Sequence, residues 1–169
     1  MLCEETMDTT SELKSLIWDV TEAQTYLITL GDDALKQTGS FVSWVKCQFL
    51  GSSLPFKSLA DRAESLDTIF TNLKSKLDSF KETHSSQLTD QDRQAFELLC
   101  EFADALSLAA SVLKTSQAKH LSASQGERKI SFREVCEGSE QYNKSMRRYL
   151  EVADRLQPHI NRIFDENLT

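Results

Sequence analysis

Along most of this chain apolar residues recur at alternating spacings of three and four, the pattern of helices that each bury one stripe. The clearest run is Leu59, Ala63, Leu66, Phe70, Leu73, Leu77 and Phe80, a seam with heptad spacing. Asp61, Arg62, Glu64, Asp67, Lys74, Lys76 and Asp78 fall between these positions and form the solvated side. The same stepping runs through Ala95, Leu99, Phe102, Leu106, Ala109 and Leu113, where Leu98, Ala103, Leu108, Ala110 and Val112 broaden the apolar face. That helix is the most apolar and is expected to lie most centrally. Leu13, Ile17, Val20, Gln24, Leu27 and Ala34 mark a first helix, widened by Leu16, Ala23 and Leu30. Val135, Gly138, Tyr142, Met146, Tyr149, Ala153, Leu156, Ile160 and Ile163 mark a last one. Pro158 interrupts it, but the seam resumes at Ile160, which predicts a kink rather than an end.

The punctuation agrees with this pattern. Thr9-Thr10-Ser11-Glu12 and Ser131-Phe132-Arg133-Glu134 fit capping boxes, and Thr89 can cap the turn holding Asp90 and Asp92. Gly51-Ser52-Ser53-Leu54-Pro55 is a break, with Ser53 a possible cap and Pro55 in a first turn. Gln117 to Lys129 is polar and reads as the longest loop. The expected helices cover about 9–38, 41–50, 55–83, 89–118 and 131–165. The short loop near His84–Gln87 makes its flanking helices antiparallel neighbours. The fold class is therefore all-α: an elongated antiparallel four-helix bundle in one domain over 1–169, with a short extra apolar helical segment after the first helix. The alternative is a long two- or three-helix coiled coil that dimerises.

Composition narrows the picture little. Five Gly and two Pro are few for an all-β chain of 169 residues. The net charge of -7 disfavours nucleic acid, whose phosphates an acidic surface repels. The charge is uneven: residues 1–55 hold eight acids and three bases, whereas residues 127–162 hold six acids and eight bases. Cys3, Cys47, Cys100 and Cys136 are widely spaced. With an acidic start and no apolar leader, they read as free thiols in a cytoplasmic protein. There is no apolar run of membrane-spanning length.

No catalytic motif emerges. Glu97, Glu101 and Asp104 share a face without the Glu-x-x-His of a di-metal bundle, and His84, His120 and His159 lie far apart, as exposed or capping residues. Phosphate-binding glycine loops and nucleophile elbows are missing. No catalytic residue, cofactor or metal is expected. Two features suggest partner contact instead. Phe41, Trp44, Phe49 and Phe56 concentrate aromatics in sixteen residues; such anchors mark partner surfaces or membrane interfaces, or else plug a bundle end. Lys144, Arg148 and Arg155 form a basic stripe, which Glu140 and Glu151 can neutralise at spacings of four. The expected function is a non-enzymatic protein–protein interaction or regulatory module, acting on another protein or by self-association. A peripheral membrane protein using residues 41–56 is the alternative, and an enzyme with a site in the bundle core ranks below both.

Overall fold

The computed structural model describes residues 9–38, 45 and 54–165. Four helices account for nearly all of them: α1 (Thr9–Thr38), α2 (Leu54–His84), α3 (Asp90–Ser124) and α4 (Phe132–Asp165). At 1.5 Å per residue each is about 45–52 Å long. The extra apolar segment at 41–50 lies outside the described residues except for Val45, which is helical.

Cross-helix contacts fix the directions. Asp19 meets Lys76 and Asp33 meets Arg62, so α1 and α2 are antiparallel. Asp67 with Lys114 sets α2 against α3, and Glu101 with Arg155 sets α3 against α4. Trp18 beside Phe164 closes α4 back on α1. The result is an up-down-up-down bundle. α1 and α3 each touch all three other helices, whereas α2 and α4 do not meet. The bundle is thus rhombic in section, with α3 on its short diagonal, as its apolar breadth predicts.

The seams form the core. All seven positions from Leu59 to Phe80 are buried, as are Ala95, Leu99, Phe102, Leu106, Ala109 and Leu113. On α4, Val135, Tyr142, Tyr149, Leu156 and Ile163 are buried, and the chain stays helical through Pro158. One close approach depends on a glycine. A Cβ on Gly31 would overlap the Tyr142 hydroxyl, so α1 and α4 meet there only because that position lacks a side chain.

Three local expectations need correction. First, α3 does not stop near 118: the expected loop from Gln117 is helical to Ser124. The stepping continues through Leu113, Gln117, His120 and Ser124, with polar residues on the buried seam. The helix ends at Gly126, whose φ of 78° is left-handed. The Gly126 N–H donates to Ala123 O and the Glu127 N–H to Ser122 O, a Schellman termination. Second, Thr9 and Glu12 do not form a capping box. Thr9 is already helical and donates to Gln87 Oε1, while Glu12 meets His84 Nε2 at 2.9 Å, fastening α1 to the α2–α3 turn. The Ser131–Glu134 box and the Thr89 cap do form. Third, Leu108 widens no buried face: it is 46% exposed.

Candidate functional site

The register of α3 against α4 determines what each basic residue of α4 faces. Near one end, Arg162 reaches Asp92 at 2.7 Å. Two turns along, Arg155 grips Glu101 with both nitrogens, at 3.1 and 3.0 Å. Continued towards the start of α4, this antiparallel register brings Leu108 and Val112 beside Arg148 and Lys144. The acids of α3 give way to aliphatic side chains. The outcome is an open groove of about 460 Å³, floored by Leu108 and Val112 and walled by Lys144, Arg147, Arg148 and Glu151.

The two arginines of this groove stand apart from the other arginines. Among the described residues, Arg62, Arg93, Arg128, Arg133, Arg155 and Arg162 all form ion pairs. The two remaining arginines, Arg147 and Arg148, form none, and neither does Lys144. The in-helix neutralisation expected from Glu140 and Glu151 does not occur within 4 Å. Arg155 turns across the bundle to Glu101 instead. So Lys144 and Arg148 are brought together on one groove, and Arg155 is withdrawn from the stripe.

The aromatic cluster divides differently. Phe41, Trp44 and Phe49 lie outside the described residues. Phe56 is 6% exposed, packed with Ala123, Ile130 and Val135, and is not a surface anchor. Its ring stacks on His120, centroids 6.1 Å apart and 14° from parallel. His120 is itself buried, contrary to the exposed or capping role expected for it, and burial lowers its pKa to about 4, leaving it neutral. Beside it, Gln117 is buried with no hydrogen bond to Oε1. This end of the bundle is therefore closed by an aromatic stack over polar side chains.

The residue that the pattern did not single out is Trp18, 64% exposed. It points away from the Leu13–Ile17–Val20 stripe and rests edge-on against Phe164, centroids 6.0 Å apart. Lys14 Nζ lies over the same Phe164 ring, 5.5 Å from its centroid. Between α1 and α4 a second groove, about 380 Å³, is lined by Ile17, Trp18, Phe102, Leu156, Ile160 and Phe164. The signal was present: a tryptophan out of phase with its own helix stripe. For Arg147 and Leu108 the signal lay in the pairing of helices, which single-helix periodicity does not contain.

Among the described residues no three His, Cys, Asp or Glu side chains converge on a metal-sized site. Cys100 is half-buried, with its thiol pushed up to about 11 by burial and then by Asp104, and Cys136 is exposed; both are free. No described helix is long and apolar enough to cross a membrane. No family model, curated protein or solved structure matches the chain.

Proposed function

We propose that this bundle is a non-enzymatic interaction module that receives an acidic, amphipathic helix of a partner protein in the α3–α4 groove. The observation that carries this reading is the trio Lys144, Arg147 and Arg148, unpaired around an exposed Leu108 while every other arginine is neutralised within the fold. An apolar floor supplies the area that drives association, and flanking cations select the sign of the partner's charge. A helix laid in a groove presents anchors at spacings of three and four, which suits a floor made of Leu108 and Val112, one helical turn apart.

The test is a titration by fluorescence anisotropy. The probe is a labelled synthetic helix-forming peptide with leucines four apart flanked by glutamates. The parent protein binds it, and the variant carrying Lys144→Glu, Arg147→Glu and Arg148→Glu binds at least about tenfold more weakly, a change of about 1.4 kcal/mol. A control variant with Lys57→Glu and Lys74→Glu, exposed lysines elsewhere on the surface, retains binding. Equal binding by all three proteins, or none by the parent, contradicts the reading.

A further inference from the structure

The bundle carries a face that complements this groove. On the outer side of α1, Trp18, Glu22, Thr25, Thr29 and Asp32 follow one another at spacings of four and three, a second stripe turned away from the core. All five are exposed. Glu22 and Asp32 form no ion pair, unlike Asp19 and Asp33 beside them, which are held by Lys76 and Arg62. α1 is thus an amphipathic helix on both sides: one stripe builds the core, and the other offers a large aromatic followed by unpaired acids. The two arginines of the same chain that form no ion pair, Arg147 and Arg148, lie on α4 around the groove it forms with α3. The two charges on this outer stripe of α1 are both negative, whereas the α3–α4 groove carries three cations against the single carboxylate of Glu151.

We propose that the occupant of the α3–α4 groove is α1 of a second copy of this chain. Trp18 covers Leu108 and Val112, and Glu22, one turn along, meets Arg148 and Lys144. This rests on the reading of the groove as a docking site for an acidic helix. The observations that favour a second copy over an unrelated partner are the charge complementarity and the 64% exposure of Trp18, a residue type that dominates interface energetics when covered. Donor and acceptor faces lie on different sides of the bundle, so the contact is head-to-tail. It extends from copy to copy or closes as a ring, rather than pairing one patch with itself.

The experiment is sedimentation velocity of the full chain from low to high micromolar concentration. The expected result is a mass that rises with concentration above the 19.2 kDa of one chain. Trp18→Ala, Glu22→Arg and Arg148→Glu each abolish the heavier species. None of these side chains is in the core or in an ion pair, and unchanged melting confirms that each variant folds. The double variant Glu22→Arg with Arg148→Glu restores association, because the pair is re-formed with its charges exchanged. A parent that stays at 19.2 kDa throughout, an Arg148→Glu chain that associates like the parent, or a double variant that stays monomeric overturns the proposal. The acidic peptide separates this failure from that of the underlying reading. If the parent is monomeric yet binds the peptide through the groove, the docking site stands and the second copy is excluded. If it binds neither, both fall.

Discussion

The two halves of α4 carry the same kind of residue and use it differently. In the second half, Arg155 and Arg162 are spent on Glu101 and Asp92 of α3. In the first half, Arg133 pairs only within its own helix, with Glu137, and Lys144, Arg147 and Arg148 face Leu108 and Val112 without an ion pair. α4 itself does not make the difference; what α3 places opposite does. A basic residue on a helix is therefore no guide to its role until the neighbouring helix and its register are known. An ion pair that spans two helices fixes register, whereas cations around an exposed apolar floor retain their hydration and their capacity to bind.

Removing the core beneath the boundary between these halves has the largest expected effect. Leu106 is fully buried there. Leu106→Ala lowers stability by about 2–5 kcal/mol, measured by urea denaturation, and affects both halves alike. A smaller loss would mean that α3 is not the central element on which both depend.

The closed end beyond the unpaired half gives a pH effect. His120 has a folded pKa near 4 against an ordinary 6.5. Between these values the unfolded chain takes up a proton that the folded chain refuses. Its contribution is complete above 6.5 and is lost as pH falls through this window, by roughly 3 kcal/mol in all. Replacing His120 by Gln flattens the stability profile between pH 6.5 and 4. A slope unchanged by the replacement would assign that pH dependence to other groups.

The paired half is expected to show a graded response. At Asp92, burial raises the pKa, but hydrogen bonds from Thr89 and Arg162 outweigh it and the carboxyl ends below its ordinary 3.8. Its stabilisation is thus present above pH 3.8 and is lost as pH falls through the lowered folded value. Asp92→Ala, which removes the carboxylate that accepts from the Thr89 hydroxyl and pairs with Arg162, costs about 1–3 kcal/mol at neutral pH. Glu101→Ala breaks a more exposed pair and costs under about 1 kcal/mol. The smallest effect belongs to the unpaired half. The combined Lys144→Glu, Arg147→Glu, Arg148→Glu variant melts within about 0.5 kcal/mol of the parent, since no native contact is broken. Destabilisation comparable to Asp92→Ala would show that these cations serve the fold.

The bundle itself was readable from periodicity, because burial of one stripe per helix depends on spacing within a helix. The caps at Thr89 and Ser131 were readable for the same local reason. The end of α3 was not. Gln117, His120 and Ser124 keep the stepping but lack the apolar character by which a seam is recognised, and only Gly126 marks the true stop. The candidate site was half legible. Lys144 and Arg148 stood out as a stripe, but Arg155 belonged to Glu101, and no intrahelical spacing reveals a partner 54 residues away. Phe56 stood out as an aromatic and proved to be a cover for His120. Trp18 was visible in the sequence only as an aromatic out of phase with its neighbours.

The proposed role of Lys144, Arg147 and Arg148 is to meet a partner. Its most direct test is a backbone amide chemical-shift map of the parent protein titrated with the acidic amphipathic peptide. The expected shifts concentrate at Leu108 and Val112 and from Gln141 to Glu151, leaving the Arg155–Glu101 region and the Trp18–Phe164 groove in place. Shifts centred on the Trp18–Phe164 groove, or spread evenly over the exposed lysines, would contradict it.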